Sequence, residues 1–218
     1  MIRSNVIRYA LLAVSANKNA TLFQQDYQVG LAVLGLYELE ERKFIFWDET
    51  SICHFSNGAH EEPPYQLPLY EAIKRSRSKT LDSILFTVLT QHMKEYAGQV
   101  EIYLKDNRLV SETKKKNLFG IECKELKAKQ ESVDECKAQV LTLCSDHVVT
   151  PAQWVLAEVL LKTGLLDDCF DEQEVNAIRE KLQERPNVAE LHACEKALDT
   201  VNKACSIGMA ILATAMLS

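Results

Sequence analysis

Leu39-Glu-Glu-Arg-Lys-Phe-Ile45 and Leu104-Lys-Asp-Asn-Arg-Leu-Val110 place a leucine, three polar residues, a base and two apolar residues in the same register. Two such matches in one chain are the mark of an internal repeat. Upstream of the first, Tyr27 to Arg42 runs through Val29, Leu31, Val33, Leu34, Leu36, Tyr37 and Leu39, the pattern of a helix buried on most sides. Downstream, Phe44-Ile-Phe-Trp47 and Ser51-Ile-Cys-His-Phe55 are two β-prone runs separated by Asp48-Glu-Thr50, which reads as a hairpin. Around the second copy, Thr80 caps a helix whose stripe is Leu81, Ile84, Leu85, Val88 and Leu89. A second hairpin is expected from Arg108 to about Lys124, with Lys114-Lys-Lys-Asn-Leu-Phe-Gly120 at or near its turn. Each unit is thus helix, helix, hairpin, a winged-helix-like arrangement.

The rest of the chain reads as helix. Ser132-Val-Asp-Glu135 resembles a capping box for a helix with Val133, Cys136, Val140, Leu141 and Cys144 as its inner stripe. Thr150-Pro151 sets an N-cap followed by proline at the first helical position. Asp171 to Arg185 is acidic and amphipathic until Pro186 breaks it, and from Val188 the residues Leu191, Cys194, Leu198, Val201, Cys205 and Leu212 keep near-heptad spacing. Before the repeats, Val6, Ile7, Ala10, Leu11 and Val14 follow helical spacing, which favours a first core helix over a secretory leader. Ala204 to Leu217 is apolar but rises only about 21 Å as helix, short of the roughly 30 Å of a bilayer core, and is expected to be a buried core helix. The expectation is a mainly α protein, one domain over 1–218, with the two units in 1–124 and a helical part in 125–218.

Composition agrees. The 218 residues include 7 Gly, about 3% against a usual 7%, which leaves little material for phosphate-cradling loops or hairpin-dense sheets. Net charge is -6, but residues 1–116 carry +1 and residues 117–218 carry -7, so an anionic partner would be met in the first half. Seven cysteines without a C-x-x-C, mostly at apolar helical positions, read as reduced, buried thiols in a cytoplasmic protein. Paired Cys/His ligands at zinc spacing are missing, so no metal is expected. Nor does the sequence hold a nucleotide-loop, hydrolase-elbow or zinc-peptidase signature, and its paired carboxylates fall at helix ends. No catalysis and no cofactor is assigned.

Two basic features remain, Lys74/Arg75/Arg77/Lys79 and Lys114-Lys-Lys-Asn-Leu-Phe119. The second mixes charge with apolar bulk. Near an anionic membrane each lysine contributes about 1 kcal/mol, and burying Leu118 and Phe119 would add roughly 1.5–3 kcal/mol apiece. The bland alternative is that both apolar residues tuck into the domain behind a solvated lysine turn.

Leu36-Tyr-Glu-Leu-Glu-Glu-Arg42 resembles the L-x-E-L-x-x-R segment of the Golgi phosphoprotein family, phosphatidylinositol-4-phosphate-binding adaptors with many prokaryotic relatives. Leu69-Tyr-Glu-Ala-Ile73 is similar to the family's L-x-E-A-L, Leu104 to Phe119 to its second helix and hairpin, and Trp154-Val-Leu-Ala-Glu-Val-Leu-Leu161 and the Val188 helix match in order. The resemblance covers most of the chain and implies that fold, in a divergent, prokaryotic-type member. In eukaryotic members a tryptophan and several arginines form the head-group pocket, and the hairpin supports membrane insertion or self-association. By counting from these anchors, the tryptophan position falls at Phe23 and the arginine positions at Ala32, Met93 and Tyr96. All four depart from the pattern. Phe23 keeps an aromatic, but the guanidinium forks that grip phosphate are gone from this remnant pocket.

What the resemblance leaves is a peripheral protein on the cytoplasmic face of a membrane, touching anionic phospholipid through Lys114, Lys115, Lys116, Leu118 and Phe119. Self-association through the second hairpin is a further expectation. The alternatives are a winged-helix nucleic-acid binder, against which the net charge weighs, and a protein-binding scaffold.

Overall fold

The computed structural model describes residues 2–16, 25–50, 52–56, 63–116, 122–145, 149–184 and 191–215. The described residues are mainly helical, with two antiparallel two-stranded sheets among them. Helix α1 (Asn5–Ala16) and helix α2 (Gln25–Glu41) form the centre. Val6, Tyr9, Leu11 and Leu12 of α1 and Leu31, Leu34 and Leu39 of α2 are wholly or almost wholly buried. Each such side chain contributes about 1.5–3 kcal/mol on leaving water, so this pair of helices holds much of the stability. The two helices approach closely because residue 30 is glycine: a Cβ there would overlap the Tyr9 ring. The Tyr9 hydroxyl, buried with the ring, donates to Thr163 Oγ1 at 3.0 Å.

After α2 come β1 (Ile45–Trp47) and β2 (Cys53–Phe55), with Phe46 opposite His54. A short 3₁₀ turn, Pro64–Gln66, leads into α3 (Leu67–Arg75). Helix α4 (Leu81–Thr87), capped by Thr80 as its sequence implies, passes through a single π turn (Val88–His92) into α5 (Met93–Asp106). Strands β3 (Val110–Lys116) and β4 (Glu122–Ala128) follow.

The repeat is visible in the backbone. Lys43 (φ 62°) and Arg108 (φ 55°) hold matching positions in the two sequence copies, and both are left-handed. Phe44 N donates to Leu39 O at 2.8 Å, and Leu109 N donates to Leu104 O at 2.9 Å, the same Schellman closure twice. The hairpins then return to the same residue: Ser56 N donates to Phe44 O, and Lys129 N to Leu109 O, each at 3.0 Å.

The remaining helices are α6 (Gln130–Ser145), α7 (Pro151–Lys162), α8 (Leu165–Cys169), α9 (Glu172–Gln183) and α10 (Leu191–Ala215). Thr150 and Gln153 form a reciprocal capping box at α7, as do Asp171 and Glu174 at α9. Helix α10 packs against α7, α2 and α4.

Four expectations need correction. The second hairpin extends to Ala128 rather than Lys124; Lys114, Lys115 and Lys116 are the last residues of β3, next to residues 117–121, which lie outside the described residues. The alternating charges of β4 had disguised it. Ser132 is inside α6, not its cap, because the bond from Lys129 N to Leu109 O pins the chain and the helix starts at once. Its buried stripe is Val133, Cys136, Val140 and Leu143, while Cys144 faces outward. Finally, α10 is buried on one side only: Ala204, Cys205 and Leu212 face the core, and Met209 is exposed.

Candidate functional site

Hairpin β3–β4 is anchored at its base and charged beyond it. Val110 and Leu126 are both 6% exposed and face the core, and Ala128 pairs with Val110 at the junction. From there the register runs Glu112 opposite Leu126, Thr113 opposite Glu125, Lys114 opposite Lys124, Lys115 opposite Cys123 and Lys116 opposite Glu122. Lys105 of α5 donates to Glu112 at 2.5 Å and braces the lower part against the helix. The two strands carry five lysines and three glutamates. The register sets two lysine positions, Lys114 and Lys124, directly opposite each other across the ladder. Lys114 is exposed. Leu118 and Phe119 lie outside the described residues, as does Phe23.

The other three candidate positions are in the helices. Ala32 (α2) and Tyr96 (α5) are fully buried, and Met93 is 3% exposed. Met93 sits at the base of a shallow depression of about 420 Å³ bordered by Gln28, Leu89, Gln91 and Lys94, beside the π turn. The Tyr96 hydroxyl has no hydrogen-bond partner among the described residues, and burial raises its pKa well above the ordinary phenol value. Tyr96 and Ala32 therefore line packed core, and the hairpin lies at the far end of α5, about 20 Å from Met93 at 1.5 Å per residue.

The second basic stretch is partly consumed by the fold. Lys79 Nζ donates to the carbonyls of Ile73 (2.6 Å), Lys74 (2.8 Å) and Ser76 (3.0 Å), closing the C-terminus of α3. Lys74 pairs with Glu71 at 2.9 Å and lies over the Tyr70 ring. Only Arg75 and Arg77 of the four are left on the surface without an ion pair among the described residues.

Sequence reasoning missed a cleft at the base of the second hairpin. It measures about 540 Å³ and runs between Arg42 and Asn107, which hold equivalent positions in the two repeats. Residues Ile2 to Ser4 form a third wall, fastened by Ile2 N donating to Glu135 at 3.2 Å. Two of the residues lining the cleft, Ser4 and Tyr65, bond to Glu38, 2% exposed, the glutamate of the L-x-E-L-x-x-R segment. Its carboxylate accepts from Ser4 Oγ (2.7 Å), Val6 N (3.0 Å), Tyr65 OH (3.2 Å) and Gln66 Nε2 (3.1 Å). A buried carboxylate needs such donors, and here they tie α2 to the first turn of α1. The signal that could have found the cleft was the repeat itself, which aligns Arg42 with Asn107.

Burial pushes the thiols of Cys53, Cys136, Cys169 and Cys205 up to about 12, so they are protonated at neutral pH. No helix among the described residues is long and apolar enough to cross a membrane. No family model matches the chain, and no curated protein matches it.

Proposed function

We propose that the chain is a non-catalytic peripheral membrane protein of Golgi-phosphoprotein-like fold that binds anionic phospholipid through hairpin β3–β4. One observation carries this reading: three successive lysines end β3, with Lys114 in register with Lys124, on a hairpin whose apolar base is fixed in the core. The fold relationship is supported by the colinear segments in the sequence and by Glu38 and Arg42, which stand at the buried network and the cleft rather than at random surface positions. The binding is of the less specific kind. Ala32, Met93 and Tyr96 provide no guanidinium, so attraction comes from lysine charge and from Leu118 and Phe119 entering the interface.

Co-sedimentation with phosphatidylcholine vesicles containing phosphatidylserine tests the proposal. At about 1 kcal/mol per lysine, K114E/K115E/K116E should weaken binding by on the order of 100-fold at low salt. Equal sedimentation of the native and triple-variant proteins, or no sedimentation of the native protein, removes it. Phe119→Asp separates the scaffold alternative: loss of vesicle binding at unchanged molecular mass favours the membrane, and collapse of a larger assembly favours self-association.

A further inference from the structure

We propose that the cleft between the two repeats is a binding site for a phosphomonoester dianion, held by Arg3 and Arg42. The site is independent of the lysine hairpin. Its volume of about 540 Å³ is within the roughly 300–1,000 Å³ usual for small-ligand sites. Its construction follows from the duplication. Each unit ends its helix at a left-handed residue and turns into a hairpin, and the two turns bring Arg42 and Asn107 to the same opening.

The polar groups of the cleft divide into those already satisfied and those left over. Glu38, bonded to the lining residues Ser4 and Tyr65, is saturated by four donors. The Asn107 side-chain amide donates to Tyr103 O at 2.9 Å. Glu135, the acidic group on the wall, accepts from Ile2 N. Arg8 is likewise engaged, through Nε to Ile2 O and a terminal nitrogen to Asn5 Oδ1, both at 2.9 Å. The guanidiniums left over are Arg3 and Arg42, which line the cleft and have no hydrogen bond or ion pair to a described side chain. Two planar forks at one concavity match an oxyanion with several acceptor oxygens, and the lining sets these two guanidiniums against the single carboxylate of Glu135. Tyr65 and Tyr103, in edge contact with centroids 4.8 Å apart, give the same cleft an aromatic wall for the organic part of such a ligand.

The test is calorimetric titration of the full chain with inorganic phosphate, with chloride as the reference at equal ionic strength. Saturable binding is expected, weakened about tenfold or more by R3Q/R42Q, the loss of charge-assisted hydrogen bonds. R75Q/R77Q, which removes the same charge from exposed arginines outside the cleft, should bind as the native protein does. Absence of saturable binding by the native protein, or equal weakening in both double variants, overturns the proposal. Phosphatidic acid vesicles then identify the source of the phosphate. Sedimentation lost in R3Q/R42Q marks a lipid head group, and sedimentation kept marks a soluble ligand; either result accords with a phosphomonoester site. Loss of phosphate binding leaves the hairpin reading standing, because K114E/K115E/K116E tests that separately.

Discussion

Lys43 and Arg108 are related as equivalent residues of a duplicated turn: each is the left-handed residue that ends a helix and opens a hairpin, with φ of 62° and 55°. A side chain in that conformation costs roughly 1–2 kcal/mol relative to glycine. Lys43→Gly and Arg108→Gly should therefore each raise stability, by about 0.5–1 kcal/mol, or about 1–4 °C in Tm. Thermal melts check this, and a fall in Tm for both variants would contradict the assignment of the two turns.

Glu38 should be the opposite kind of position. Glu38→Ala leaves Ser4, Val6 N, Tyr65 and Gln66 with donors facing no acceptor, at a cost of about 3–5 kcal/mol by analogy with broken buried charge networks. Urea unfolding measures it. A loss below about 1 kcal/mol, the scale of a surface pair, would mean that the network does not tie α2 to α1.

In the first hairpin, Asp48 accepts from His54 Nε2 at 2.8 Å, from Ile52 N and from Thr50. The His54 bond first, and the others after it, hold its carboxyl well below the ordinary carboxylate range. A lowered folded-state pKa gives stability that is fully present above the unfolded value of about 3.9 and is lost as pH falls through the folded one. The native protein minus Asp48→Asn should thus show a stability difference that shrinks as pH falls below about 4. A difference independent of pH down to acid unfolding would contradict it.

Thiol labelling should sort the described cysteines by burial. Cys144 on the outer face of α6 should react with maleimide within minutes at pH 8, while Cys53, Cys136, Cys169 and Cys205 are labelled only on unfolding. Peptide mapping by mass spectrometry reads the order. Early labelling of Cys169, whose thiol donates to Leu12 O at 3.5 Å, would contradict the packing of α8 on α1.

Much of the architecture was legible because short-range rules and the repeat agreed. Thr80 and Thr150 each cap the helix that their position implies, and the match of Leu39–Ile45 to Leu104–Val110 marked both turns. What was not legible depended on contacts distant in sequence. Ser132 imitates a cap, but the strand pairing of Val110 with Ala128 fixes where α6 begins. Cys144 imitates a core position until Leu143 takes the inward turn. The lysines of the second hairpin were visible as charge, while the cleft was not, since Arg3, Arg42 and Asn107 meet only after folding. The demand on Lys79 as a closing group for α3 was equally hidden, which is why the 74–79 run looked more available than it is.

The most direct test of the central claim is a reporter at the hairpin. Trp47 and Trp154 are 7% and 4% exposed, so a tryptophan introduced by Phe119→Trp should dominate any change in emission when vesicles are added. With phosphatidylserine-containing vesicles at low salt, the account predicts a blue shift together with quenching by brominated acyl chains, reversed by high salt and abolished by K114E/K115E/K116E. Unchanged emission from residue 119 in the presence of excess anionic vesicles would contradict it.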